Sequence, residues 1–168
     1  MKKILLSVIS IIIVIVTLVP TVFAANEQLP QWQDLILTEE EFNAILANNT
    51  IHTIDENTRA NDLINLWAIA ISKSGTNTLN IAGKTTGTTE VVKSGFKEVV
   101  IQRRASSSSS WTDYITYEDL YIEQIAYVLA KKITVPTGYQ YRVTCIHYAK
   151  KNFFSVQKID NVSNVIQF

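Results

Sequence analysis

Alternation of apolar and polar residues, from position 63 to the end of the chain, is the feature that most constrains the fold. The segment "LINLWAIAISKSG" places Trp67, Ile69 and Ile71 on one face, and "YQYRVTCIHY" repeats the same period of two. That period is typical of half-buried β-strands. Turn signals such as "SGTNT" and "VPTG" separate six to eight such segments. The pattern predicts a sandwich or barrel of antiparallel strands, and nothing in it suggests the strand–helix alternation of a parallel α/β sheet.

The region before these strands contains one predicted helix, "LTEEEFNAILANN". Thr38 is a suitable N-cap and Glu41 follows three residues later, which is the spacing of a capping box. Phe42, Ile45 and Leu46 share one face at helical spacing. We therefore expect residues 25–62 to be an N-terminal helical arm and linker, and residues 63–168 to be the β-domain. The sequence leaves open whether residues 25–62 are an arm, a docked helix or a propeptide.

Residues 1–24 have the features of a secretory signal peptide. Lys2 and Lys3 precede an unbroken apolar run, and Val22 and Ala24 are the small residues of a cleavage site. An uncleaved membrane anchor is the alternative, but the run is short for a span of about 20 residues. We expect cleavage after Ala24, a secreted, extracellular protein, and contact with a membrane only through the signal peptide before cleavage.

The segment "VPTGYQYRV" resembles the corner between strands E and F of fibronectin type III domains and other immunoglobulin-like sandwiches. Val135, Pro136, Gly138 and Tyr141 stand in the order found there, and "RV" follows. Upstream, "VVIQRRASSSSSWTDY" resembles their hairpin of strands C and C′. The whole chain also resembles a group of small exported proteins of Gram-positive bacteria that have no assigned function. The resemblance implies an antiparallel immunoglobulin-like β-sandwich preceded by a short helix, and implies no activity.

The strongest candidate for catalysis is the pair formed by Cys145 and His147, which project from the same face of one strand. A nucleophile needs such a neighbouring base. If Tyr141 is a corner tyrosine, however, this face is the inner one. We therefore expect Cys145 to be an inert buried thiol and His147 to lie at the core margin. We predict no catalytic residues and no enzymatic activity.

Composition argues against several other functions. The chain has 15 Lys and Arg against 15 Asp and Glu, so it lacks the basic excess of a nucleic-acid-binding domain. One cysteine and two histidines give no recognisable metal-ligand spacing, and "GKTTGTT" lacks the spacing of a phosphate-binding loop. We expect no metal and no cofactor.

Outward-facing side chains remain as candidates for a binding surface. Trp111, Tyr114 and Arg142 are the possible ligand-binding residues, while Arg104, Arg142 and Lys132 would form a basic stripe if their strands were neighbours. Such a stripe suits either edge protection or an anionic wall polymer. We expect a secreted, non-enzymatic interaction module whose partner is a cell-wall glycan or an extracellular protein. A secreted effector, inhibitor or immunity-type protein is the alternative.

Overall fold

The computed structural model describes residues 30–53 and 62–168, so the predicted signal peptide lies outside the described residues. The chain is mainly β, and its strands form two antiparallel sheets. The elements are β1 Gln33–Asp34, α1 Glu39–Leu46, β2 His52–Thr53, β3 Ile64–Ser74, β4 Thr78–Gly87, β5 Lys93–Arg104, β6 Thr112–Ile122, β7 Ala126–Thr134, β8 Gln140–Asn152, β9 Ser155–Val162 and β10 Ile166–Gln167. No helix in these two ranges has the length and hydropathy needed to cross a membrane.

The two sheets divide the strands as an immunoglobulin-like sandwich does. Sheet A has the order β1-β7-β4-β3-β2. In sheet B, β5 lies between β6 and β8, and β9 and β10 pair along the other edge of β8. Strands β3, β4 and β7 thus correspond to A, B and E, and β5, β6, β8 and β9 correspond to C, C′, F and G. This arrangement confirms the predicted fold class.

The hydrophobic core lies between the sheets, on the faces that the alternation predicts. Strand β8 buries every second residue from Tyr141 to Ala149, and the residues between them are partly exposed. Ile69 and Ile71 of β3 and Phe96 of β5 are also fully buried. Each large apolar side chain buried in this way stabilises the fold by roughly 1.5–3 kcal/mol. The shared inner faces are therefore the main source of stability.

The turn between β7 and β8 is a tyrosine corner, as the resemblance implied. The hydroxyl of Tyr141 donates a hydrogen bond of 2.7 Å to the carbonyl oxygen of Pro136. Gly138 in this turn has φ of +86°, a left-handed conformation that favours glycine. Burial raises the pKa of Tyr141 to about 12, because an ionised phenolate would lose its hydration. The hydroxyl is therefore protonated near neutral pH and can donate this hydrogen bond.

Helix α1 is docked on the outer face of sheet A. The contact joins apolar helix residues to alanines of β3 and β4: Phe42, Ile45 and Leu46 against Ala68, Ala70 and Ala82. Alanines there allow the helix to approach the sheet closely. The amide of Glu41 donates to Oγ1 of Thr38 at 3.3 Å, and the amide of Thr38 donates to the Glu41 carboxylate at 2.8 Å. The predicted helix and its capping box are confirmed, while the division at residue 62 stays a prediction.

The short strands that flank α1 extend sheet A at both edges. Strand β1 pairs with Lys131 and Lys132 of β7, and β2 pairs with Leu66 and Trp67 of β3. These pairs cover backbone groups that an open sheet edge would present to other chains. Residues 30–53 therefore cross the outer face of sheet A from one edge to the other.

Strand β6 does not follow simple alternation. Strict alternation along "WTDYITYE" predicts that Trp111, Asp113, Ile115 and Tyr117 share one face and that Tyr114 lies on the other. In the structure the register with β5 shifts between Asp113 and Ile115, because β6 has an extra residue there. Such a bulge breaks the alternation, so Tyr114, Ile115 and Tyr117 all pack against the core. The predicted common face of Trp111 and Ile115 is therefore wrong, and Trp111 contacts the outer face of sheet B.

Candidate functional site

Cys145 and His147 lie together inside the sandwich. The exposed fraction is 4% for Cys145 and 0% for His147. Sγ of Cys145 is 3.4 Å from Nε2 of His147, and Nδ1 of His147 is 2.7 Å from the hydroxyl of Thr85 in sheet A. The predicted inner face of β8 is confirmed. The expected position of His147 at the core margin is wrong, because Thr85 and Phe96 cover its ring.

The hydrogen bonds around His147 define its tautomer. The hydroxyl of Thr85 donates to the carbonyl oxygen of Gly95 at 3.0 Å. A hydroxyl has a single proton, so the contact between Thr85 and His147 requires Nδ1 to be the donor. Nε2 is then an acceptor, and it faces the thiol of Cys145 and the amide nitrogen of Asn161, which is 3.5 Å away. A neutral imidazole satisfies this network.

The protonation states of the pair are opposite to those of a nucleophile and its base. Burial, with a smaller contribution from His52, lowers the pKa of His147 to about 3. Burial also raises the pKa of the Cys145 thiol well above its usual range. A reactive cysteine is an accessible thiolate next to positive charge. Cys145 and His147 therefore act as a packed and hydrogen-bonded part of the core.

A second group of side chains lies on the outer face of sheet B. The guanidinium carbon of Arg104 is 4.3 Å from the centroid of the Trp111 ring, and that of Arg142 is 4.5 Å from the same centroid. Guanidinium groups at such distances are attracted by the negative face of the indole. Trp111 immediately precedes β6, Arg104 ends β5, and Arg142 lies near the start of β8. Three neighbouring strands therefore bring the arginine–tryptophan cluster together.

Two glutamines fix the arginines in a reciprocal pattern. "QRR" in β5 and "QYR" in β8 each contain a glutamine two residues before an arginine. Antiparallel pairing places Gln102 opposite Arg142 and Arg104 opposite Gln140. Nε of Arg104 donates to Gln140 at 2.7 Å, and Nε of Arg142 donates to Gln102 at 2.8 Å. The amide of Gln102 in turn donates to Asp113 at 2.7 Å, which orients its carbonyl towards Arg142.

The serine run links this cluster to β6. Nη1 of Arg104 donates to the carbonyl oxygen of Ser107 at 3.1 Å. The hydroxyl of Ser106 is 3.0 Å from that of Ser108 and 2.9 Å from that of Ser109. These bonds hold the loop against the end of β5, which places Trp111 over the arginines.

Among the described residues, the two guanidinium groups have no carboxylate partner, unlike several of the lysines. Neither Arg104 nor Arg142 forms an ion pair within residues 30–53 and 62–168, whereas four lysines there do: Lys93, Lys97, Lys131 and Lys151. Burial, and secondarily the charge of Arg104, lower the pKa of Arg142. Arginine nevertheless stays charged in proteins. The cluster is therefore a pair of like charges whose repulsion a bound anion would relieve.

The structure brings together only some of the residues that the sequence analysis selected. Trp111 and Arg142 are in contact. Tyr114 instead packs against the core beneath the guanidinium group of Arg103, 4.4 Å from its ring centroid. Lys132 lies in sheet A beside β1, so it does not join the basic stripe. Tyr114 was misplaced because the bulge in β6 has no sequence signal as clear as a glycine or proline.

Sequence analysis missed the two glutamines of the cluster. Their repeated spacing before arginine was the available signal, because two such motifs on antiparallel strands can pair reciprocally. The described parts of the chain contain no group of three or more His, Cys, Asp or Glu side chains placed to hold a metal ion.

Comparisons with known proteins add little to these observations. No protein-family model matches the sequence, and no curated protein matches it. Among solved structures, the crystal structure of the GAE domain of GGA2p from Saccharomyces cerevisiae is similar over 71% of this chain and 96% of that domain. The sequence identity is 9% and the TM-score is 0.27, so this likeness supports no conclusion about function.

Proposed function

We propose that the protein is an exported, non-catalytic binding module and that the arginine–tryptophan cluster binds an anionic cell-wall glycan. The observation that carries this proposal is the pair of guanidinium groups of Arg104 and Arg142 on one tryptophan ring, without a carboxylate partner among the described residues. Export is supported by the signal-peptide pattern of residues 1–24, a basic start followed by an apolar run and small residues. The non-catalytic role is supported by the burial and protonation states of Cys145 and His147.

The arrangement of donors suits phosphate or carboxylate groups. A guanidinium group offers several N–H donors in one plane and binds such anions through paired hydrogen bonds. In both arginines a glutamine accepts from Nε, and Arg142 makes no other hydrogen bond within the described residues. Its terminal nitrogens therefore remain as donors to a ligand. Because glutamine and tryptophan already fix both side chains, binding would immobilise few additional rotamers.

The geometry of the cluster indicates that a ligand is recognised by its negative charge rather than by stacking of a sugar ring on Trp111. Aromatic rings can bind neutral sugars through their faces, but two guanidinium groups already lie within 4.5 Å of the Trp111 centroid. The role of Trp111 is therefore to position the arginines. We expect binding to weaken as salt rises, because mobile ions screen charges on an open sheet face.

The test is binding of the chain that starts at residue 25 to purified cell walls, with and without their anionic polymers, at low and high salt. We expect co-sedimentation with intact walls at low salt, and at least a tenfold loss after removal of the polymers. Replacing Arg104 and Arg142 by Gln should cause a similar loss, because each charged hydrogen bond to the ligand contributes about 1.5–3 kcal/mol.

The matched control removes two positive charges from the other sheet by Lys84→Gln and Lys132→Gln. These lysines lie on β4 and β7. The control should bind nearly as well as the unmodified chain if the cluster is the site. Equal losses in both double variants would mean that only net charge matters. A chain that stays in the supernatant at low salt would refute the glycan ligand.

A further inference from the structure

The hairpin turn between β8 and β9 carries two adjacent phenylalanines that are almost completely exposed. The exposed fraction is 83% for Phe153 and 93% for Phe154. Their rings contact each other edge to face, with centroids 5.1 Å apart. The side chain of Asn152 holds the turn by accepting a hydrogen bond of 2.9 Å from the amide of Phe154. Single exposed apolar residues are common, but a paired aromatic tip is an informative exception.

Further exposed apolar residues lie at the same end of the sandwich. Val92 is 52% exposed, Ile125 is 47% exposed and Val156 is 43% exposed. The amide of Val92 donates to Lys150 of β8 at 2.9 Å, and Val156 is the partner of Lys150 in β9. Ile122, at the end of β6, pairs with Ser94, which in turn pairs with Ala149 of β8. The loop before β5 and the turn before β7 therefore reach the same end as the phenylalanine tip.

Lysines surround the base of the tip. Lys150 and Lys151 immediately precede the turn, and Lys93 pairs with Lys150 across the sheet. Lys151 forms an ion pair of 2.6 Å with Glu90, and Lys93 forms one of 2.8 Å with Glu123. The tip thus has an apolar apex above a charged base with a small positive excess.

We propose that this tip inserts reversibly into the surface of a lipid bilayer, which would be a membrane contact in addition to the one expected from the signal peptide. The convex shape is the reason to prefer a bilayer to a protein groove. Two rings project from a short turn between paired strands, and a fluid apolar phase can accept them without a preformed pocket. The lysines at the base would then lie at the level of the lipid headgroups, where their stems can extend the charge into water.

The strength of insertion follows from the two rings. Full burial of one phenylalanine should raise the partition coefficient roughly ten- to hundredfold. Because Glu90 and Glu123 neutralise two of the three lysines, anionic lipid should strengthen binding only modestly. This proposal does not rest on the wall-binding function, since Arg142 and Phe153 are separated along β8 by roughly 35 Å at the usual rise per residue.

The experiment measures co-sedimentation of the chain starting at residue 25 with phosphatidylcholine vesicles and with vesicles that also contain phosphatidylglycerol. We expect binding to both. Replacing Phe153 and Phe154 by Ser should weaken binding at least tenfold without lowering thermal stability, because neither ring contributes to the core. The matched control replaces two other exposed apolar residues by Ser: Ile36, between β1 and α1, and Val128, on β7. This control should bind vesicles as well as the unmodified chain does.

A second readout locates the contact. Phe154→Cys can be labelled selectively with a polarity-sensitive fluorophore, because the native Cys145 is buried. Its emission should shift to the blue on addition of vesicles, whereas the same label at Ile36→Cys should not respond. The proposal is overturned if the unmodified chain binds neither kind of vesicle, or if the variant with Ser at positions 153 and 154 binds vesicles equally well. Self-association that disappears in the serine variant, without vesicle binding, would assign the tip to a second copy of the chain.

Discussion

Replacement of His147 should remove most of the dependence of stability on pH between pH 7 and pH 5. The ring is fully buried and its hydrogen bonds to Thr85 and Cys145 suit the neutral form. Burial lowers the pKa of His147 to about 3 in the folded protein. An unfolded histidine has a pKa of about 6.5. The folded pKa is thus depressed, so the unfolded chain takes up a proton as the pH falls through 6.5 and the folded chain does not.

The magnitude follows from this difference in proton uptake. The free energy of unfolding changes by about 1.4 kcal/mol per pH unit while one state carries one proton more than the other. Integration from pH 7 to pH 5 gives a loss of about 2 kcal/mol on acidification. The result holds for any folded pKa of His147 well below 5. Carboxylates add little in this range because most of their titration lies at lower pH.

Urea unfolding at pH 7, 6 and 5 measures the effect directly. His147→Gln should be less stable than the unmodified protein at pH 7, because it loses packing against Phe96, but its stability should be nearly constant over this range. The second histidine provides the control, since His52 is only half-buried on the edge strand β2 and stacks on Trp67. His52→Gln should retain most of the slope. Parallel profiles for the unmodified protein and His147→Gln would refute the buried neutral histidine.

Three further outcomes are expected. In urea unfolding, Tyr141→Phe should lower the free energy of unfolding by about 1 kcal/mol, because the corner hydrogen bond is lost. The control is Tyr139→Phe, because the hydroxyl of Tyr139 has no hydrogen-bond partner in the described residues. This variant should change the free energy of unfolding by less than about 0.5 kcal/mol. Cys145 should react with a thiol reagent only as fast as the protein unfolds, and rapid labelling of the native protein would contradict its burial. Thr38→Ala should cost about 1 kcal/mol by removing the N-cap, detectable as lower thermal stability with increased amide exchange in α1.

The inner faces of the sheets could be predicted because burial acts on each residue separately. Alternation in β8 places Tyr141, Val143, Cys145 and His147 on one side whatever the neighbouring strands are. The corner hydrogen bond and the capping box were predictable for a similar reason. Each joins residues only a few positions apart, so the chain itself brings the partners together.

The arginine–tryptophan cluster depends on register between distant strands, which no local pattern determines. Arg104 and Arg142 meet Trp111 only because β5 pairs with both β6 and β8 and because a bulge shifts β6 by one residue. The same bulge carries Tyr114 to the core. The position of His147 was misjudged for a related reason, since Thr85 of the opposite sheet covers its ring. Sequence patterns gave no measure of how far sheet A extends over β8.

Strand β8 shows how the fold can keep structural and binding roles apart. Its even and odd positions face opposite sides, so Arg142 lies on the outer face between the buried residues Tyr141 and Val143. Substitution of Arg142 should therefore alter binding with little effect on the core. Substitution of Tyr141 or Val143 should instead lower the stability of the whole domain, which carries both proposed contact surfaces. The phenylalanine turn at the other end of the strand is equally separate from the core. A variant series along β8 should thus show stability losses at every second residue, and binding losses confined to outward positions and the turn.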